Sequence, residues 1–299
     1  MADLGFDGKV AILTGAGGGL GREHALLLAS RGAQVVINDL GGSVSGEGGD
    51  AGPAHATAKE IEDLGGVAVA DTNSVATPAG GEAIVQTAMD AFGRVEIVIN
   101  NAGILRDKTF HNMTPELVDP VLDVHLRGAF WVTRPAWIKM RDQGYGRIVN
   151  TSSNSGILGN FGQANYGAAK MGLVGLTRVL AAEGAKYNIR VNAVAPVAKT
   201  RMTEEILGGD FAAKLQPNLV SPIVAWLVHE DCPVSGEIYS AAGGRIARFF
   251  IGLTPGYFNP ALTLEDVRDN FEQIRAEEGY IVPAGPGDEF AQLLAAFGA

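Results

Sequence analysis

Six short runs of β-branched and aliphatic residues, Val10 to Leu13, Val35 to Ile37, Val67 to Val69, Val95 to Ile99, Ile148 to Val149 and Ile189 to Val194, alternate with longer stretches of helical period. Four of them, Val10 to Leu13, Val35 to Ile37, Val67 to Val69 and Ile148 to Val149, are apolar at every position rather than at every second one, which belongs in a sheet covered on both faces. The alternation therefore predicts an α/β chain with a doubly wound parallel sheet, in which ligands sit at the carboxyl ends of the strands. Two stretches break the rhythm. Gly41 to Gly52 is rich in Gly and Ser and reads as a surface loop beside that ligand site, with Pro53 opening the next helix. Beyond Gly244 the alternation stops, and Thr263 to Glu278 reads as one capped amphipathic helix. Residues 1–243 are thus expected to form a single domain that includes the site, and 244–299 a helical extension packed on it.

Composition removes several classes of partner. Against 33 Asp and Glu stand 23 Lys and Arg, a net charge of -10 that repels nucleic acid and anionic lipid. A single cysteine, Cys232, can form neither an internal disulfide nor a structural zinc site, and reads as a packing residue. Five scattered histidines offer no metal-ligand spacing, so no metal is expected. The first residues lack the pattern of a secretion signal, no apolar run of membrane-spanning length follows, and the final residues are no peroxisomal address. A soluble cytoplasmic protein is expected.

After the first predicted strand comes Thr14-Gly15-Ala16-Gly17-Gly18-Gly19-Leu20-Gly21, followed at once by a helical run. Glycines let the backbone turn tightly and approach a pyrophosphate, whose charge the free amides and dipole of the helix start favour. In this context the fold expected is a single-domain Rossmann-type sheet. Asp39 ends the second strand 18 residues after Gly21. A carboxylate there can hydrogen-bond both ribose hydroxyls of an adenosine and repels the extra phosphate of NADP. No Lys or Arg occurs among residues 15–19, which also favours NAD.

The fourth strand ends in Asn100-Asn101-Ala102-Gly103, small and polar residues that allow a cofactor close to the backbone. Ser153 follows the fifth strand, and Tyr166 and Lys170 lie one helical turn apart on one face. A phenol of ordinary pKa near 10 is a poor base, but a lysine ammonium and a positive nicotinamide both favour its phenolate. Tyr166 is then an acid/base for an alcohol whose oxygen Ser153 holds, while the hydride passes to the cofactor.

Together Thr14-Gly15-xxx-Gly19-x-Gly21, Asn100-Asn101-Ala102-Gly103, Ser153 and Tyr166-xxx-Lys170 make residues 5–243 resemble the short-chain dehydrogenase/reductase family. The resemblance implies a homodimer or homotetramer and a cofactor touching Gly15, Gly19, Leu20, Gly21, Asp39, Asn73, Ser74, Asn101, Ala102, Gly103, Tyr166, Lys170 and Pro196. Four stretches are similar to a narrower branch, the (3R)-hydroxyacyl-CoA dehydrogenase units of type 2 peroxisomal multifunctional enzymes. They are Asn38 to Gly42, Asn101 to Asp107, His125 to Gly128 and Gly159 to Tyr166. That likeness runs into the tail past Gly244, and no hydratase or sterol-carrier segment follows, so the unit is expected to stand alone. It implies oxidation of (3R)-hydroxyacyl-CoA to 3-ketoacyl-CoA, with 17β-hydroxysteroids as alternative substrates. A reductase of 3-oxoacyl carrier protein fits Asp39 less well, and a silent NAD-binding module is the reading from another class.

Two departures from the family pattern are visible. His125 stands where many members have an asparagine on the proton path, and is either a relay group or a packed histidine. Pro196-Val197 replaces a Pro-Gly at the start of the cofactor-covering loop, and Val197 does not readily take positive φ. Residues 198–220 should form a lid, with Met202, Ile206, Leu207 and Phe211 facing either an acyl chain or the core. Lys199, Arg201, Arg245 and Arg248 are candidates for meeting the phosphates of CoA, or are solvated surface charge.

Overall fold

The computed structural model of the chain describes residues 4–203 and 209–298. They fall into two compact units, Met1–Arg248 and Phe249–Ala299, so the change comes a few residues later than the expected 243.

The first unit runs β1 (Val10–Thr14), α1 (Gly19–Ser30), β2 (Gln34–Asn38), α2 (Gly52–Asp63), β3 (Val67–Asp71), α3 (Pro78–Phe92) and β4 (Ile97–Asn100). Then come α4 (Pro115–Leu122), a π-helical turn (Asp123–Arg127), α5 (Gly128–Gln143), β5 (Gly146–Thr151), α6 (Asn154–Leu158), α7 (Ala164–Gly184) and β6 (Ile189–Val197). The unit closes with α8 (Gly209–Ala213), α9 (Ser221–Val228), β7 (Ile238–Ala242) and β8 (Arg245–Phe249). The eight strands are ordered β3-β2-β1-β4-β5-β6-β7-β8, with every pair from β3 to β7 parallel.

Successive residues of each central strand feed two different cores, which is why most of the runs carry no alternating polar residue. Ala11, Leu13, Val35, Ile37, Ile97, Ile99 and Val149 pack on one face, with Leu28 of α1 and Leu227 of α9. Val10, Ile12, Val36, Val98 and Ile148 pack on the other, with Ile84 of α3 and Met140 of α5. Each fully buried aliphatic side chain contributes about 1.5–3 kcal/mol.

The eighth strand lies where the sequence rhythm had ended. Gly243 and Gly244, with φ of +55° and +86°, make the two-residue turn that folds β8 back beside β7. Strand β6 also continues through Pro196 and Val197, which pair with Ala241 and Ala242. Val197 therefore stays in extended backbone, and the missing glycine is met by prolonging the strand.

In the second unit the Thr263 to Glu278 segment is two helices, α10 (Leu264–Asp269) and α11 (Phe271–Arg275), rather than one. The expected cap is present: Thr263 Oγ1 accepts from Asp266 N at 3.1 Å and Asp266 Oδ2 from Thr263 N at 2.9 Å. The break falls at Asn270, whose Nδ2 donates to the Asp266 carbonyl at 2.8 Å and so competes with the helical ladder. A further helix, α12 (Pro286–Ala296), follows. None of the described residues of this unit is fully buried.

Candidate active site

The strand order reverses between β1 and β4, and the loops leaving these strands meet there. Asn101 Nδ2 donates to the carbonyls of Thr14 at 3.1 Å and Gly15 at 3.0 Å, while Thr14 Oγ1 accepts from Asn101 N and Ala102 N, each at 3.1 Å. Gly15 has φ +63°, and a Cβ on it would stand 2.7 Å from Ala102 Cα. A Cβ on Gly21 would stand 2.3 Å from the Gly15 carbonyl, so Gly21 shapes the loop from behind and does not line the cleft. Over Gly18 there is open space, and over Gly19 only Thr200, at 3.6 Å. Both line the cleft at the start of α1, so the backbone is bare where a pyrophosphate approaches a helix N-terminus. These residues fit the dinucleotide that the sequence implies.

Leu20, Asp39, Asn73, Ser74, Asn101, Ala102 and Gly103 line the same cleft. Asp39 accepts from Gly17 N at 2.8 Å and from Gly41 N at 2.7 Å, which fixes its carboxylate between the glycine loop and the second turn. Behind it lies Asp71, which no motif in the sequence marks. Asp71 is buried and accepts from Asn38 Nδ2 at 2.7 Å, Asn73 Nδ2 at 2.8 Å and Thr87 Oγ1 at 2.7 Å, holding the Asn73 corner in place. The 41–52 loop also does more than skirt the site, because Gly42, Ser43, Val44 and Gly46 form one wall of the cleft. Thr200, Arg201 and Met202 form another part of its lining.

Ser153 caps α6 in extended backbone, its Oγ accepting from Ser155 N at 3.1 Å. Tyr166 sits in the first turn of α7 and Lys170 one turn on, its ammonium 5.5 Å from the Tyr166 ring centre. Lys170 is buried and donates to the Thr151 carbonyl at 2.5 Å, and burial lowers its pKa to about 7. Burial raises the Tyr166 pKa, a side-chain hydrogen bond with Ser153 opposes the rise, and the Asp107 carboxylate adds to it. The protein by itself thus keeps Tyr166 a phenol at neutral pH, so the expected phenolate needs a further positive charge beside it.

His125 lies in the π-helical turn, a distortion of the helix common at functional sites. Its ring meets that of Tyr166 edge-on at 5.1 Å. In one tautomer Nε2–H donates to the Ile104 carbonyl at 2.8 Å, and in the other Nε2 accepts from Ile104 N at 3.0 Å. Nδ1 is buried and has no partner among the described residues. Burial first, and then Lys170, hold the His125 pKa well below the usual imidazole range, so the ring is neutral. His125 and Lys170 line one small cavity of about 10 Å³ together with Thr14, Asn100 and Ala102, room for a single water at most. A Cβ on Gly103 would stand 2.4 Å from His125 Cε1, which gives the last residue of Asn100-Asn101-Ala102-Gly103 its reason.

Other expected residues are placed elsewhere. Pro196 pairs within the sheet and does not line the cleft. Phe211 is exposed on α8 rather than core, and Ile206 and Leu207 lie outside the described residues. Arg248 is paired with Glu237 at 2.7 Å, Arg245 begins β8, and Arg201 faces the dinucleotide cleft. Cys232 is fully buried.

A cleft at the switch point of a parallel sheet, with a Ser, Tyr and Lys set beside it, is the arrangement of a dehydrogenase. The sequence model of the short chain dehydrogenase family matches residues 9–209, and the chain belongs to that family. It is an oxidoreductase acting on CH–OH groups. It is 50% identical over 275 residues to the peroxisomal multifunctional enzyme type 2 of Mus musculus, covering 91% of this chain and 37% of that protein. It is 38% identical over 263 residues to the hydroxyacyl-CoA dehydrogenase ChsB1 of Mycobacterium tuberculosis, covering 81% of this chain and 79% of that one. The structure of the full-length peroxisomal multifunctional enzyme type 2 from Drosophila melanogaster superposes with a TM-score of 0.83 at 38% identity, over 98% of this chain and 50% of that one. The chain thus spans from 29% to 66% of the multifunctional enzymes it matches. No helix among the described residues is long and apolar enough to cross a membrane.

Proposed function

We propose that the chain oxidises the secondary hydroxyl of a (3R)-hydroxyacyl-CoA thioester to the ketone, with NAD as acceptor. The observation that carries this reading is the gathering of Ser153, Tyr166, Lys170 and His125 at the strand ends, next to a cleft whose far side presents the Asp39 carboxylate. NAD, held by the glycine loop and Asp39, would supply the hydride acceptor and a positive charge near the phenol. Ser153 Oγ holds the substrate oxygen, and Tyr166 Oη takes its proton. Lys170, pinned to Thr151, supports the phenolate, and Nδ1 of His125 offers the next proton position beyond it. Asp39 selects NAD, since a 2′-phosphate would meet a carboxylate already fixed by two amides. The thioester assignment is supported by the four stretches shared with the narrower branch and by the names of the relatives. A homodimer or homotetramer is the working assembly.

The test is NADH formation at alkaline pH from (3R)- and (3S)-hydroxyacyl-CoA of medium chain length and from a 17β-hydroxysteroid, each repeated with NADP. Preference for the (3R) thioester with NAD is expected. Turnover of the steroid alone would remove the thioester assignment but keep the catalytic set, and no reduction of NAD by any alcohol would remove both.

A further inference from the structure

Two residues of the stretches shared with the narrower branch, Arg106 and Asn165, have no place yet in the cleft or the catalytic set. They lie on either side of one junction. The chain leaving β4 at Ile104 to Asp107 is in contact with the glycine-rich loop on one side and the start of α7 on the other. Toward the loop, Leu105 N donates to the Val44 carbonyl at 2.9 Å and Arg106 Nε to the Ser45 carbonyl at 2.8 Å. Gly46 is packed so closely that a Cβ on it would stand 3.0 Å from Ile104 Cδ1. Arg106 Nη1 also donates to the Glu116 carbonyl at 2.8 Å, so the guanidinium bridges the loop and α4.

Toward α7, the Arg106 carbonyl accepts from Asn165 Nδ2 at 2.9 Å, and the same amide donates to the Leu117 carbonyl at 2.7 Å. Asn165 Oδ1 accepts from Tyr166 N at 2.8 Å, one of the amides that a helix start leaves without an intrahelical acceptor. Asn165 is only 3% exposed, so its three bonds are made out of water and each is costly to break. An unbroken series of hydrogen bonds therefore joins the wall of the cleft nearest Asp39 to the backbone of Tyr166.

We propose that Arg106 and Asn165 are positioning residues that couple the seating of the 41–50 loop on the adenosine half of the dinucleotide to the placement of Tyr166. The proposal rests on the cofactor reading above. Its consequence is that the adenosine end, remote from the chemistry, helps to order the acid/base before the alcohol arrives.

The experiment is hydrogen exchange on the full chain with and without ADP, which fills the adenosine end and carries nothing that reaches Tyr166. In the wild type, ADP is expected to slow exchange both in the 41–50 loop and at residues 163–169. Arg106→Ala should bind ADP about tenfold more weakly and pass no protection to 163–169, with Arg106→Lys, which keeps one donor, intermediate. Asn165→Ala should keep the ADP affinity and the loop protection, lose the protection at 163–169, and lower kcat at least tenfold with the KM for NAD within twofold of wild type. Arg94→Ala, which breaks an ion pair to Glu96, should behave as wild type. If ADP protects the wild-type loop and leaves 163–169 unchanged, or if the Arg106 and Asn165 variants match the wild type, the coupling is refuted while the dehydrogenase reading stands. If neither ADP nor NADH binds the wild type, the cofactor reading fails and this proposal with it.

Discussion

Lys170 is a cation held where charge is expensive. In the unfolded chain it keeps its proton up to about 10.5, whereas in the folded chain its pKa falls to about 7. Between those values the unfolded state binds more protons, so this group's contribution to stability improves as pH rises from 7 toward 10.5. Below pH 7 the full cost of burying the ammonium, on the order of 5 kcal/mol, is present. Comparing Lys170→Met with wild type by urea unfolding should show the balance moving toward the wild type between pH 7 and pH 10, and a difference independent of pH would rule this out. Asp39 acts through a different mechanism, accepting from two amides while presenting negative charge to the cleft. Charge-assisted bonds of about 1.5–3 kcal/mol correspond to a 10- to 150-fold effect. Asp39→Ala should raise the KM for NAD by that order and leave the KM for NADP unchanged or lower, measured with the (3R) thioester, and an unchanged NAD preference would dismiss Asp39 as the selector.

The elements behind the site are joined by a buried polar ladder. Asn100 Nδ2 of β4 donates to Thr133 Oγ1 of α5 at 2.9 Å and to Asn150 Oδ1 of β5 at 2.8 Å, and Asn150 Nδ2 donates to Thr177 Oγ1 of α7 at 2.9 Å. The ladder fixes α7, and so Tyr166 and Lys170, against β4 and β5, the two strands that lead into Asn101 and Ser153. Asn150→Ala would remove one bond from Asn100 Nδ2, which keeps Thr133 Oγ1, and one from Thr177 Oγ1, which keeps the Leu173 carbonyl, and a loss of about 1–3 kcal/mol is expected in urea unfolding. A loss under about 0.5 kcal/mol would mean that the ladder holds nothing. Elements of this kind differ in how far the sequence announces them. The strands are legible because each is buried on both faces, and Tyr166 and Lys170 because one helical turn places them together. The docking of the 41–52 loop is not, because it is held through its own main-chain carbonyls, those of Val44 and Ser45, which no residue type betrays. The break at Asn270 is hidden for a related reason, since an asparagine reads as helix surface until its side chain is seen bonded to the Asp266 carbonyl. Asp71 was missed because its role is to hold another residue of the cleft.

At the scale of the molecule, a ligand that binds only the folded chain stabilises it by mass action, about 2.7 kcal/mol at a hundred times its Kd. NADH at that excess should raise the thermal midpoint by several degrees, and NADPH at the same concentration by much less; equal shifts would contradict the assigned cofactor. The pinning of the glycine loop also has a consequence in time. Asn101 donates to the Gly15 carbonyl across 86 positions of the chain. A ribosome adding roughly 5–20 residues per second needs on the order of 4–17 s to cross that gap. Through that interval the nascent glycine loop has no Asn101 to lock it, and β1 has no β4 to pair with. The glycine loop is therefore locked only after this interval, and the edge of β1 that β4 will occupy stays unpaired for seconds, open to chaperones and aggregation.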